Sequence, residues 1–391
     1  MTIESAATAV GTIESGTLAR VDACGTIELA ALPIALNWWI GADDRWHDAT
    51  TEVAVRQLSI GDAPVVETRM RVPGGDACAR VYATADAEGV VIWEIANDSP
   101  SPFAAALVAR PAGKRLPSFE RDELVVYAAG RPLFEFDRRP GEVRLPGDPD
   151  TATDLPESTR GAAVAVVPVP HRSFVRVAIT PGRFGTVDLA TVAGPDDVAR
   201  AWNAQLRRGL DVELPDARWQ SAVQRARAEV LLRAAAKAVV DADVVVALED
   251  WGFDAEATQA WDQLGVLAKR RAAQRSFLDP VDAFSVVERL ATAPEAGPLA
   301  DPARLLQLVR AVLVTEHDDG VDVLPFLPDA WRGASLDVRN VPTRSGSVSY
   351  AVRWHGERPA LLWECNDRVA LRAPGLSADW STVEPAGEAL L

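Results

Sequence analysis

The sequence has few of the residues that build metal sites and disulfide frameworks. It contains three cysteines and four histidines in 391 residues, with no Cys-x-x-Cys pair and no two histidines at a helical metal-ligand spacing. An odd number of cysteines spread along the whole chain does not form a disulfide framework. We therefore expect no metal site, no cofactor and a reducing compartment. Because no secretory signal is recognisable, we expect a cytoplasmic location.

Motifs for nucleotide binding and serine hydrolysis are also missing, since the chain has no Gly-x-Gly-x-x-Gly, Walker A or Gly-x-Ser-x-Gly sequence. Acidic residues outnumber basic ones by 56 to 40, and the resulting net charge of -16 argues against nucleic acid or an anionic membrane as the main partner. The richest apolar stretch, from Ala238 to Leu248, is interrupted by Asp241 and Asp243. We therefore expect no membrane span.

A two-residue period over residues 17–190 predicts an antiparallel β-sandwich. Val66, Met70 and Val72 alternate with charged residues, which places one face on a core and the other in water. Similar short runs follow at regular spacing, separated by Gly, Pro, Asn and Asp. The acidic, proline-rich piece from Pro140 to Arg160 is predicted to be a long surface loop.

Over residues 195–318 the period becomes 3.6, which predicts five or six amphipathic helices. Gly252 suits the left-handed residue after a helix, and Asp254 suits the N-cap of the next one. Asp279-Pro280 and Asp301-Pro302 each place a capping aspartate before a proline, so two further helices should begin there.

The strand pattern returns over residues 320–372 and predicts a small C-terminal β-module, followed by a tail from Ala373. The fold class expected from the sequence is therefore an α+β multidomain protein. It consists of a β-sandwich at 17–190, a helical domain at 195–318 and the β-module at 320–372.

The stretch from Val312 to Trp354 carries a short polar loop with a histidine, a Leu-Pro-x-Leu-Pro turn and an Ala-Trp pair. It resembles the junction between the last barrel helix and the terminal β-domain in (α/α)6-barrel glycoside hydrolases of the fucosidase, rhamnosidase and glucoamylase types. The resemblance implies a barrel preceded by a supersandwich, but the helical segment supplies about half of the chain that twelve helices need. The residues that carry the resemblance are His317, Leu324, Pro325, Leu327, Pro328, Ala330, Trp331 and Gly333.

Inverting glycosidases need two carboxylates on opposite sides of the scissile bond. The candidates are Glu249 and Asp250 at a helix end, and Glu316 and Asp318 where the helices meet the β-module. His317, which lies between the last two, could donate a hydrogen bond to a sugar hydroxyl. The alternatives are that Glu249 and Asp250 form an acidic, solvated helix terminus and that the second group is a charged surface turn ending at Gly320.

The segment "NWWIGADDRWHD" combines indole rings with forked hydrogen-bonding groups, a mixture that suits a sugar. An indole can cover the apolar face of a pyranose while carboxylates and guanidinium groups pair with hydroxyls. The alternative is that the tryptophans are core residues and the charges form a turn with an exposed ion pair. The predicted substrate-binding residues here are Trp38, Trp39, Asp43, Asp44, Arg45, Trp46 and His47.

The sequence thus favours a glycoside-hydrolase-like protein that binds a saccharide or glycoconjugate. Inverting hydrolysis without metal or cofactor is the expected activity if the catalytic carboxylates survive the shortening of the helical domain. The alternative is a non-catalytic assembly protein whose incomplete helical face pairs with another chain. Both hypotheses predict a homo-oligomer formed through the helices.

Overall fold

The protein is represented by a computed structural model that describes residues 7–86, 89–112, 117–148, 155–180, 187–235, 240–266, 269, 285 and 301–391. The chain divides into two compact units, Thr2–Ala201 and Trp202–Leu391. Antiparallel sheets come first, five described helices follow, and a second set of sheets ends the chain. The α+β class and the order of the three regions are therefore as the sequence predicts.

The described part of the N-terminal unit contains strands β1 to β16. In chain order they are β1 (Thr8–Thr12), β2 (Gly16–Val21), β3 (Ile27–Leu29), β4 (Ile34–Gly41), β5 (Trp46–Asp48), β6 (Val55–Ser59), β7 (Val66–Val72), β8 (Gly75–Thr84), β9 (Val90–Asn97), β10 (Phe103–Pro111), β11 (Phe119–Arg121), β12 (Val125–Ala128), β13 (Arg131–Phe136), β14 (Glu142–Arg144), β15 (Ala163–Val169) and β16 (Phe174–Ile179).

These strands form two eight-stranded antiparallel sheets. The first has the order β1-β2-β3-β4-β10-β15-β14, with β5 beside β4, and the second has the order β11-β12-β13-β16-β9-β8-β7-β6. Both sheets contribute to one apolar core, which includes Trp38 from β4 and Trp93 from β9. In β7 the side chains of Val66, Met70 and Val72 enter this core, as the alternation predicts.

The helices are α1 (Pro195–Leu206), α2 (Ala217–Ala235), α3 (Ala242–Asp250), α4 (Asp254–Gln263) and α5 (Pro302–Leu313). Helices α2 to α5 belong to the C-terminal unit, where α2 and α3 both pack against α5. The Asp301 side chain accepts a hydrogen bond from the Arg304 N–H at 3.0 Å, so the predicted cap of α5 is confirmed. None of the described helices combines the length and the hydrophobicity that a transmembrane span needs.

The remaining strands form two sheets in the C-terminal unit. One has the order β17-β20-β21-β22-β25 and the other has the order β18-β19-β23-β24. The strands are β17 (Asp211–Glu213), β18 (Val314–His317), β19 (Gly320–Val323), β20 (Leu336–Thr343), β21 (Gly346–His355), β22 (Arg358–Cys365), β23 (Leu371–Arg372), β24 (Ser381–Thr382) and β25 (Ala386–Leu390).

Three local predictions differ from the structure because the strands concerned are short. Strand β14 lies inside the predicted loop at 140–160, and β25 lies in the predicted tail, where Gly387 interrupts the pattern. Strand β17 precedes the long helix α2 yet pairs with β20, so the helices and the terminal sheets share one unit. Three to five residues are too few to show a two-residue period.

Two helix boundaries were also predicted from single residues. Gly252 follows α3 with a φ of 75°, in agreement with its predicted left-handed role. The prediction that Asp254 is an N-cap is wrong, because Phe253 holds that position and Asp254 is the first residue of α4. The predicted helix start at Asp279-Pro280 lies outside the described residues.

Candidate functional site

The aromatic and acidic cluster of the sequence lies at the turn between β4 and β5. The Ala42 N–H donates to the Arg45 carbonyl at 3.1 Å, which closes a tight turn with Asp43 and Asp44 at its centre. Asp43, Asp44 and Arg45 are exposed, whereas Trp46 is half-buried. The turn therefore presents two carboxylates and a guanidinium group to solvent next to an indole ring.

Trp46 is held against the sheet by a close approach to Gly41, the residue opposite it on β4. A Cβ at residue 41 would lie 3.0 Å from two carbon atoms of the Trp46 ring, so a larger residue there would push the indole away from the strand. The ring also packs against the small cluster on the outer face of the first sheet that contains Trp39. These contacts restrict the movement of the Trp46 indole.

His47 lies behind the turn and is almost fully buried, with 4% of its surface exposed. Its Nε2 atom lies 2.9 Å from Oδ1 of Asp44, and its Nδ1 atom lies 3.1 Å from Oε1 of Glu52. Nη1 of Arg45 donates to the same Glu52 oxygen at 2.6 Å. Two basic and two acidic side chains are therefore joined into one network.

The network keeps both carboxylates ionised. The hydrogen bond from His47 lowers the pKa of the Asp44 carboxyl. For Glu52, the hydrogen bond from Arg45 is the largest cause of a lowered pKa, and the one from His47 adds to it. Asp44 remains 48% exposed, so its carboxylate can still accept hydrogen bonds from a ligand.

Trp38 and Trp39, which were predicted to bind substrate, are buried instead. Trp38 is 1% exposed in the main core and donates from Nε1 to the Cys24 carbonyl at 3.1 Å. Trp39 is 4% exposed and packs on the opposite face of the sheet. Successive residues of a strand point to opposite faces, and here both faces are covered. Neither ring presents a face to solvent, which agrees with the alternative that these tryptophans are core residues.

In the C-terminal unit two predicted catalytic residues, Glu316 and Asp250, lie close to the guanidinium group of Arg310. Nη2 of Arg310 in α5 donates to Oε1 of Glu316 at 2.8 Å, and its Nε atom lies 4.0 Å from Oδ1 of Asp250. Burial raises the pKa of Asp250 to about 6; Arg310 opposes this rise and Glu316 adds to it. Arg310 also donates to the Pro342 carbonyl at 2.9 Å. The group connects α3, α5, β18 and the β20–β21 region.

The other two predicted catalytic carboxylates are Glu249 and Asp318, and Asp318 approaches this group through Arg344, whose backbone N–H donates to Oε2 of Glu316 at 2.8 Å. Glu249 is half-buried in the last turn of α3, and Asp318 is fully exposed in the β18–β19 turn. Asp318 lies 3.9 Å from Nη1 of Arg344, a distance at which an exposed ion pair contributes little.

His317 lies on the same hairpin in a second polar group. Its Nε2 atom lies 2.9 Å from Oδ2 of Asp322, and Nε of Arg372 donates to the other oxygen of Asp322 at 2.6 Å. Arg372 also pairs with both oxygens of Asp319, at 3.0 and 3.2 Å, and this pairing lowers the pKa of Asp319. His317 is exposed, so the group can reach solvent, but it is separate from the β4–β5 turn in sequence.

Sequence reasoning missed Glu52 and Arg310, which complete the two networks. Arg310 gives a weak signal, since it is an arginine on the buried stripe of an amphipathic helix. Glu52 gives no such signal, because it lies five positions after His47 and no periodic pattern connects the two residues. Its contact arises from the turn after β5, where the Glu52 N–H donates to the Asp48 carbonyl at 3.0 Å.

Among the residues that the structure describes, no group of histidine, cysteine and carboxylate side chains has the arrangement of a metal site. The β4–β5 turn places a half-buried indole beside exposed carboxylates and a guanidinium group, which can make apolar contacts and hydrogen bonds with a ligand. A scan against protein-family models and a search of curated proteins found no match to this chain.

Proposed function

We propose that this chain is a glycoside-hydrolase-like protein that binds a saccharide at the turn between β4 and β5. The observation that carries the proposal is the position of Trp46, whose half-buried indole lies over Gly41 in the same turn as exposed Asp44 and Arg45. A fixed indole costs little conformational entropy on binding and covers the apolar face of a pyranose.

In this proposal each polar group has one role. The ionised Asp44 carboxylate accepts hydrogen bonds from sugar hydroxyls, and the guanidinium of Arg45 donates from the atoms that Glu52 does not engage. Asp43, which is exposed in the same turn, supplies a second acceptor. Charge-assisted hydrogen bonds of this kind are stronger than neutral ones, which suits recognition of a ligand without charge.

The proposal is for binding, with hydrolysis left as a separate hypothesis. Inverting hydrolysis needs carboxyl groups roughly 6.5 to 9.5 Å apart with water between them. Glu316 and Asp250 have one guanidinium in common, and Arg310 donates a hydrogen bond to the first of them. An arginine in this position favours a structural role for both carboxylates over a catalytic one.

Titration calorimetry with five neutral sugars (glucose, galactose, fucose, rhamnose and maltotriose) tests the binding proposal. We expect at least one of them to bind the wild-type chain and to lose about 2 kcal/mol of binding free energy with Trp46→Ala. Trp380→Ala is the matched control, because Trp380 is a half-buried tryptophan of the C-terminal unit. Equal affinities in the two variants, or no binding by the wild type, would rule out the proposed site.

A further inference from the structure

His47 cannot contact a ligand itself, although it lies in the middle of the proposed saccharide site. Only 4% of its surface is exposed, whereas the residues of the turn before it are open to solvent. It belongs to β5 and pairs with Ile40 of β4, so its backbone is fixed by the sheet. A histidine held in this way acts on a ligand through the groups that it binds.

Both ring nitrogens of His47 lie within hydrogen-bonding distance of carboxylate oxygens. An ionised carboxylate can only accept, so a ring nitrogen that bonds to it must carry a proton. Nε2 of His47 faces Asp44 and Nδ1 faces Glu52, so both hydrogen bonds to ionised carboxylates form together only when both ring nitrogens carry a proton. Charge-assisted hydrogen bonds on both sides hold Asp44 more firmly than a neutral ring would.

Glu52 connects His47 to Arg45, which is the exposed hydrogen-bond donor of the proposed site. Oε1 of Glu52 accepts from Arg45 at 2.6 Å as well as from His47 at 3.1 Å. The Arg45 side chain also donates to the Trp46 carbonyl at 3.2 Å. The buried His47 ring therefore contacts the exposed acceptor Asp44 directly. Through Glu52 it is also connected to the exposed donor Arg45, which bonds to the Trp46 backbone.

We propose that His47, as an imidazolium between Asp44 and Glu52, is the positioning residue of the saccharide site. It holds the Asp44 carboxylate in the turn before Trp46 and, through Glu52, keeps Arg45 on the same side. This inference rests on the proposed function, but the state of the ring can be measured without any ligand.

The first test measures the protonation of the ring by nitrogen NMR of histidine-labelled wild-type protein at pH 7. The chain has four histidines, and the resonances that disappear in His47→Gln identify this one. We expect both ring nitrogens of His47 to be protonated. A neutral ring with one bare nitrogen would overturn the inference, whether or not the protein binds sugar.

The second test uses whichever of the five neutral sugars binds the wild type. We expect His47→Gln to bind it about tenfold more weakly, as loss of a charge-assisted hydrogen bond predicts. His355→Gln, the same change at an exposed hairpin histidine, should bind like the wild type. Adding the sugar should also shift the ring resonances of His47 and leave those of His355 in place, which a purely structural role would not cause.

A second variant covers the case in which His47→Gln fails to fold. Glu52→Gln keeps the imidazole and removes the charge on its Nδ1 side, so it should also weaken binding while the fold persists. Unchanged affinity in a folded His47→Gln or Glu52→Gln protein would overturn the positioning role and leave the proposed site intact. Absence of sugar binding by the wild type would remove the proposed function, and the positioning role with it.

Discussion

Arg310 donates a hydrogen bond to Glu316 at 2.8 Å from a side chain that is nine-tenths buried. The pair joins the last turn of the amphipathic helix α5 to the first strand after it, and Asp250 approaches the same guanidinium from α3. Arg310 compensates both carboxylates, so removing it would leave two mostly buried acidic side chains without a counter-charge.

The first prediction concerns the removal of this arginine. Arg310→Met should lower the free energy of unfolding by about 3 to 5 kcal/mol, because two mostly buried carboxylates lose their counter-charge. Urea unfolding of the full chain, followed by tryptophan fluorescence, measures the change. Arg332→Met is the matched control at an exposed i,i+3 ion pair with Asp329 and should change the value by about 0.5 kcal/mol or less. Similar effects of both variants would contradict a stabilising role for Arg310.

The second prediction concerns pH and Asp250. Because burial raises its pKa from 3.8 to about 6, the folded state binds more protons than the unfolded state between these values. Its contribution to stability therefore decreases as pH rises from about 4 to 6, by up to about 3 kcal/mol at 1.36 kcal/mol per pKa unit. Asp250→Asn resembles the protonated form, so the variant should gain stability relative to the wild type over this range.

Urea unfolding at several pH values between 4 and 7 measures this difference. Asp262→Asn, at an exposed carboxylate of α4, is the control and should follow the wild-type curve. A constant difference between Asp250→Asn and the wild type across the range would show that Asp250 does not titrate there.

The third prediction concerns a row of charges on the second sheet. Glu67, Arg80, Glu94 and Arg176 lie opposite one another on four neighbouring strands. Glu94 accepts from Arg80 at 3.0 Å and from Arg176 at 2.9 Å while only 2% exposed. Glu94→Gln should lower the free energy of unfolding by about 3 kcal/mol, because two arginines lose a charged partner. Glu120→Gln, at an exposed position of β11, should be close to neutral in the same unfolding measurement.

This row also shows how far the sequence determines the fold. Alternation within β7 was enough to predict that strand at Val66–Val72, since one face contacts the core. The same pattern suggested that the opposite face is in water, yet Glu67 is buried. Burial would raise the pKa of Glu67, but hydrogen bonds from Arg69 and Arg80 outweigh it and lower the pKa. Polar character alone does not distinguish a solvated face from a face of paired charges.

The candidate site was predicted only in part, because a sequence pattern shows residue types but not which side chains are covered. The residue types of the β4–β5 turn were recognised because aromatic and charged groups are adjacent in the sequence. Which indole is exposed depends on which faces of the sheet are covered, so Trp39 and Trp46 could not be distinguished. The contact of Glu52 with His47 depends on the geometry of a turn, and the approach of Arg310 to Glu316 depends on how a helix ends. Neither contact produces a periodic pattern in the sequence.

The last prediction concerns the charge of the ligand. The segment from Asp43 to Glu52 carries four carboxylates against the side chains of Arg45 and His47, and Arg45 is already engaged by Glu52. The turn is therefore negative towards an approaching ligand, and it should disfavour sugars that carry a carboxylate. We expect galacturonic acid to bind about tenfold more weakly than galactose, and glucuronic acid more weakly than glucose by a similar factor.

Titration calorimetry at low and high salt measures this selectivity, which should shrink at high salt because mobile ions screen exposed charges. Asp44→Asn removes one of the carboxylates and should reduce the difference in affinity between the neutral and the acidic sugar. Asp329→Asn, at an exposed carboxylate of the C-terminal unit, should leave it unchanged. Tighter binding of the uronic acids would mean that Arg45 faces the ligand as an unpaired cation, which would contradict the network described for this turn.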